Sequence, residues 1–147
     1  PGYNVRPLEM SGALGITQMK KLDSFIEKRR SNYLKFRDSV RPFDFLKLQV
    51  ETGKSSWFGF SMIIDESLGL SRNELVDVFS ARNIECRPIV CGNIMNNAMI
   101  EYFDYSVSSS LDVSNTVHNH GLFIGNHHID IKDGLENLTG ALRQFSK

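Results

Sequence analysis

Two kinds of side chain in this sequence are placed to do chemistry: arginines beside constrained backbone, and a group of histidines. Arg87 is followed by Pro88, which fixes the local backbone, and then by the permissive pair Gly92-Asn93. A guanidinium held this way suits an anion, which it grips through a bidentate fork. The same Arg87 would also serve as a surface partner for Glu85 or Asp77. Near the start of the chain, Arg6 precedes Pro7, Leu8 and Glu9, where a helix pattern begins. A proline near the first helical position loses no hydrogen bond. The free N–H groups of that first turn, with Arg6 beside them, would hold a phosphate. The same residues also describe an ordinary helix start.

The four histidines, His118, His120, His127 and His128, fall close together in sequence. Neutral imidazole is a common metal ligand, but no Cys or carboxylate stands at ligand spacing and a helix-to-strand passage separates the two pairs. No metal site is expected. His127, in a Gly-Asn-His-His loop after an apolar strand, is better placed for binding, since loops held by rigid strands commonly carry function; a solvated loop histidine is the alternative. Gly53-Lys54-Ser55 resembles the end of a phosphate-binding loop, yet it lacks the earlier glycine and runs into a strand. No Ser-His-Asp or Cys-His arrangement and no acid pair is legible, so no catalytic residue is assigned.

Composition narrows the setting. The chain has 147 residues, enough for one domain with a real core. Its 17 basic and 17 acidic residues cancel, which argues against a general nucleic-acid surface. No apolar run approaches the roughly 18–20 residues needed to cross a membrane. The two cysteines, Cys86 and Cys91, are too few for a disulfide framework and make a poor metal site. A cytoplasmic, reducing location is expected. The sequence opens on Pro where a natural start has Met, and it is expected to be a piece of a longer protein.

The elements that would position these residues form an α+β pattern. Residues 8–40 read as one long helix: Met19, Leu22, Phe25, Ile26, Tyr33 and Phe36 recur at three- to four-residue steps. Gly12 and Gly15 within it suggest close approach of a backbone or ligand, or else flexibility. Pro42 ends the helix. Strands are expected over 43–50, 57–64, 84–89 and 122–125, with Gly59 marking a bulge or close contact. Ser71 with Glu74 forms a capping box for a helix to about residue 82. Shorter helical pieces follow at 96–103 and 111–118, the second closed by Gly121 as a C-terminal glycine, and an amphipathic helix at 131–145. The expectation is a long N-terminal helix packed on a small, mostly antiparallel sheet with flanking helices. Residues 1–40 form a loop and linking helix, and 41–147 a small α+β domain.

Several blocks carry a family resemblance. Gly2-Tyr3-Asn4-Val5-Arg6-Pro7-Leu8-Glu9-Met10-Ser11-Gly12-Ala13, followed by Gln18-Met19-Lys20-Lys21-Leu22 and Arg29-Arg30, resembles the C-terminal part of the nucleotide-sugar aminotransferase and dehydratase family of fold type I vitamin-B6 enzymes. Later blocks, including Glu51–Phe60, Ile84–Val90, Tyr102–Tyr105 and Gly121–His127, resemble a branch that removes the 3-hydroxyl of GDP-4-keto-6-deoxymannose in O-antigen (colitose-type) deoxysugar synthesis. The resemblance implies pyridoxamine 5'-phosphate or pyridoxal 5'-phosphate as cofactor, glutamate as amino donor and a nucleotide-sugar substrate. It also implies a homodimer with the active site at its interface, and no nucleic-acid or membrane partner. It places Asn4 on the cofactor phosphate of the neighbouring subunit, and Arg6, Arg87, Asn93 and His127 near the nucleotide-sugar. The family's catalytic Lys, or the His that replaces it in the dehydratases, matches no position here and is expected upstream of residue 1. The chain alone is therefore expected to be inactive. A sugar 4-aminotransferase of the perosamine-synthase kind and a non-catalytic dimerisation domain are the rival readings.

Overall fold

The computed structural model describes residues 8–146. Two helices open it, α1 (Glu9–Met19) and α2 (Leu22–Val40), with a turn at Lys20 and Lys21 between them. The single helix expected over 8–40 is thus broken. Among the described residues α1 buries none of its own, and Leu8, Met10, Leu14, Ile16 and Met19 are all exposed. A Cβ at Gly12 or Gly15 would meet nothing within 4 Å, so the close approach suggested there has no partner among the described residues. Farther along, α2 becomes part of the core. Asn32, Phe36 and Val40 recur at intervals of four on one helix face, and all three are buried.

The sheet has four strands, β1 (Leu46–Leu48), β2 (Gly59–Ile64), β3 (Cys86–Arg87) and β4 (Gly121–Gly125), in the spatial order β1-β2-β4-β3. Every pairing is antiparallel, with Phe60 opposite Ile124 and Cys86 opposite Ile124 on its other side. Along β2 the period of two is complete: Phe60, Met62 and Ile64 are buried, while Gly59, Ser61 and Ile63 are half-buried. The buried face packs on α2, on α3 (Arg72–Ala81) and on α5 (Lys132–Leu142), through Phe36, Leu75, Phe79, Leu122 and Leu138. Phe36 and Phe60 stack with ring centroids 4.2 Å apart. The α+β architecture read from the sequence is the one found.

Local chemistry explains where the elements differ from expectation. The capping box forms as read, with the Ser71 side chain accepting from the Glu74 N–H and the Glu74 carboxylate accepting from the Ser71 N–H. The strand expected over 84–89 pairs only at Cys86–Arg87, because Pro88 has no N–H to continue the ladder. The helix expected over 96–103 is instead two 3-10 turns, Ile94–Asn96 and Ala98–Tyr102. Asn97 between them is extended, and its side chain accepts from the Met99 N–H as a new cap. The helix before β4 in sequence, α4 (Asp112–His120), runs directly into that strand. Gly121 is extended there (φ −84, ψ 135) rather than left-handed. Space is what demands glycine: a Cβ would collide with the Val117 carbonyl oxygen and lie 2.9 Å from Ile89 Cδ1. At Gly59 a Cβ would lie 2.9 Å from the Ile124 carbonyl oxygen, the close contact expected for a glycine inside a strand.

Beyond the end of β2, Asp65 ties the β1–β2 ribbon. Its backbone N–H donates to the Phe45 carbonyl, and its carboxylate takes the Lys47 ammonium at 2.7 Å and the Ser67 hydroxyl at 2.8 Å. The hydrogen bonds from Lys47 and then from Ser67 hold this carboxyl at about 2, below its ordinary 3.8. A depressed carboxyl contributes stability above its unfolded value and loses it as pH falls through the folded one. The stability difference between wild type and Asp65→Asn should therefore be constant above 3.8 and shrink as pH falls towards about 2, as read from urea midpoints. A difference independent of pH would show that the carboxylate charge does not matter.

Candidate functional site

A cleft of about 620 Å³ lies between the β4–β3 side of the sheet and α5. Core side chains that include Phe60, Ile124, Leu135 and Leu138 give it apolar walls, and Arg29, Phe58, Arg87 and His127 reach it from elsewhere in the chain. Arg87 sits on β3 and is largely exposed; its Nε and Nη2 donate to one Glu85 carboxylate oxygen at 3.1 and 2.7 Å. The surface pairing with Glu85 and a place on the cleft wall thus coexist. His127 is exposed at the cleft, with its ring stacked on His128 at 4.3 Å, and His128 stacks in turn on Phe25 at 3.9 Å.

The loop that carries His127 is held by two buried asparagines. Asn32 on α2 directs Nδ2 at the carbonyls of His127 and Ile129, at 2.9 and 2.8 Å, and at Asn126 Oδ1, at 3.3 Å. Asn126 then donates through its own Nδ2 to the carbonyls of Arg29 and Trp57, at 3.0 and 2.8 Å, while its backbone N–H donates to Phe58. Buried polar groups are mostly bonded; of these two amides only Asn32 Oδ1 is without a partner among the described residues, and the clasp joins α2, the chain entering β2 and the loop leaving β4. Trp57 is buried at a positive φ of 53, stacked on Tyr33 with centroids 3.4 Å apart.

The other residues singled out in the sequence lie apart. Asn93 is buried; its Nδ2 donates to Asn115 Oδ1 at 2.7 Å and its Oδ1 accepts from the Met95 N–H at 3.0 Å. Its side chain thereby ties its loop to Asn115 on the helix Asp112–His120, and it is not among the residues that line the cleft. His118 packs against Gly92, and its carbonyl accepts from Arg72 at 2.6 Å. Cys86 is half-buried, and that burial pushes its thiol up, while Cys91 is exposed. Asn4 and Arg6 lie outside the described residues. Sequence reasoning missed Arg29, Asn32 and Asn126 as shapers of the site. The only signal for them was the Arg29-Arg30 block and the polar Asn32 on an otherwise apolar helix face.

The chain belongs to the DegT/DnrJ/EryC1/StrS aminotransferase family, whose model matches residues 1–138. It is 48% identical over 145 residues to a GDP-4-keto-6-deoxy-D-mannose 3-dehydratase of Yersinia pseudotuberculosis, a match covering 98% of this chain and 37% of that protein. A crystal structure of a GDP-4-keto-6-deoxymannose 3-dehydratase mutant with bound GDP-perosamine superposes with a TM-score of 0.92 at 49% identity, over 97% of this chain and 37% of the other. The Escherichia coli enzyme with bound hydrated PLP gives the same TM-score, identity and coverage. The chain thus spans little more than a third of the length of these relatives and corresponds to their C-terminal part. Among the described residues no helix is long and apolar enough to cross a membrane.

Removing the Asn126 side-chain donor strands the buried Trp57 carbonyl, at a cost of about 1–3 kcal/mol, and takes a second bond from the Arg29 carbonyl, which keeps its place in α2. Asn126→Ala should lower stability by about 1–3 kcal/mol in urea unfolding; a loss near zero would mean that solvent replaces the clasp.

Proposed function

We propose that the full-length protein is a pyridoxamine-phosphate-dependent nucleotide-sugar 3-dehydratase acting on GDP-4-keto-6-deoxymannose in O-antigen deoxysugar synthesis, and that this chain supplies its C-terminal part. The observation that carries the reading is the 48% identity to the Yersinia dehydratase across nearly the whole chain. Residues 1–40 link to the remainder of the enzyme, and 41–147 form the small domain. The enzyme works as a homodimer in the cytoplasm.

The lining of the cleft includes no lysine; it offers the Arg29 guanidinium, the Arg87 guanidinium paired with Glu85 of the same lining, and the His127 imidazole, so it fits the substrate's anionic portion and not the cofactor's ring. Cofactor contact in this chain falls to Asn4, whose side-chain amide would hold the phosphate of the neighbouring subunit's cofactor. When bound, the cofactor supplies the imine chemistry that loosens the 3-hydroxyl of a 4-keto sugar, and glutamate supplies its amino group. Arg6, Arg87 and His127 orient the nucleotide-sugar by hydrogen bonds and charge. Asn93 serves by shaping its loop, since its side chain is satisfied internally. The base that moves the proton belongs to the part of the enzyme outside this chain, and the chain alone is inactive.

Incubating the full-length protein with GDP-4-keto-6-deoxymannose, glutamate and cofactor tests the reading. Release of a 3-deoxy keto sugar is expected. An amino sugar would assign the protein to the 4-aminotransferases instead, and no turnover would favour a non-catalytic dimerisation domain. In the same protein, Asn4→Ala should weaken cofactor retention about tenfold or more, as one charge-assisted hydrogen bond is lost. Unchanged retention on equilibrium dialysis would remove Asn4 from the cofactor site.

A further inference from the structure

Arg29 is the cleft's unanswered charge. Its side chain lines the cleft, and its Nε is buried without a hydrogen-bond partner among the described residues. No carboxylate of the described residues pairs with it: Asp130 is taken by Lys28 and Lys35, and Glu85 by Arg87. Of the charged groups lining the cleft, Arg29 and Arg87 are cationic and Glu85, the one carboxylate, is held by Arg87. Burial first, and then the charges of His127, Arg29 and Lys21, push the neighbouring His128 imidazole down. A buried donor left without an acceptor costs free energy; the Nε itself is out of a ligand's reach, and it is the part of this guanidinium that lines the cleft that can meet an oxyanion.

A second feature lies beside it. The Phe58 ring is 72% exposed, with the Arg29 guanidinium carbon 5.7 Å from its centroid. Phe58 follows Trp57, whose positive φ costs of order 1–3 kcal/mol and survives only when the surroundings over-determine it. They do: the Trp57 ring is stacked on Tyr33, its carbonyl accepts from Asn126, and its N–H donates to Ser55 Oγ at 2.9 Å. The strained residue is buried, and the apolar ring that follows it stands in solvent over a cation.

We propose that Arg29 binds the diphosphate of a nucleoside diphosphate in this cleft, and that the exposed face of Phe58 carries the base. The assignment rests on the nucleotide-sugar reading above and adds two residues to it. An aromatic face beside a free guanidinium in a cleft of about 620 Å³ matches the two halves of a nucleotide better than it matches a small dicarboxylate such as glutamate.

Titration calorimetry on the full-length protein tests this with GDP, inorganic diphosphate, guanosine and glutamate as separate probes. Arg29→Gln should weaken GDP and diphosphate by about tenfold or more and leave guanosine unchanged, since a bidentate charged contact is lost. Phe58→Ala removes only an exposed ring and so keeps the fold; it should weaken GDP and guanosine but not diphosphate. Unchanged GDP affinity in Arg29→Gln overturns the proposal, as does a loss confined to glutamate. If UDP binds in place of GDP with the same dependence on Arg29, the anion site stands and only the guanosine part of the functional reading falls. If no nucleoside diphosphate binds, both fall.

Discussion

The side chains of Asn32 and Asn126 form the constraint on which the rest of this structure depends. Neither amide can be left unbonded in a core without a cost of kilocalories per mole. Between them they engage the carbonyls of Arg29, Trp57, His127 and Ile129. Those four carbonyls belong to α2, to the chain entering β2 and to the loop after β4, which the apolar core alone would leave free to slide. Hydrophobic burial brings α2 onto the sheet through Phe36 and Val40, but it has no direction. Hydrogen bonds supply the register, and the register decides which side chains meet at the cleft.

Several local features follow from that register. Trp57 keeps its left-handed backbone because stacking, capping and the clasp all hold it, and Phe58 is thereby set beside Arg29. Across the cleft, α5 presents Leu135 and Leu138 to the same core that α2 closes, so the cleft borders the buried hydrophobic core. A site whose charged groups stand on such walls loses little order when it binds, which is the physical meaning of preorganisation. By contrast, α1 contributes nothing to this frame, since none of its residues is buried.

What the sequence made legible was whatever is decided locally. Ser71 and Glu74 are three residues apart and cap their helix on their own account. The alternation along β2 shows because each side chain answers to one face of one sheet. The break at Lys20 and Lys21 was not legible, since the apolar period continues through it. Gly121 was read as a helix terminator; its reason is the Val117 carbonyl beside it, a matter of space in three dimensions. The site was partly visible, through Arg87 and His127. Arg29 stood out only within the Arg29-Arg30 block of the family resemblance, and Asn126 only as part of the Gly-Asn-His-His loop. Their roles arise from partners far away in the chain: Asn126 meets Trp57 at a separation of 69 residues and Asn32 at 94. Periodicity cannot report such pairs.

The central claim is that the clasped cleft is the substrate's side of a nucleotide-sugar enzyme. A crystal structure of the full-length protein with GDP bound tests it most directly. The account predicts diphosphate oxygens within hydrogen-bonding distance of the Arg29 guanidinium, with the base against Phe58. GDP bound elsewhere, with Arg29 paired instead to a carboxylate from the rest of the enzyme, would contradict it.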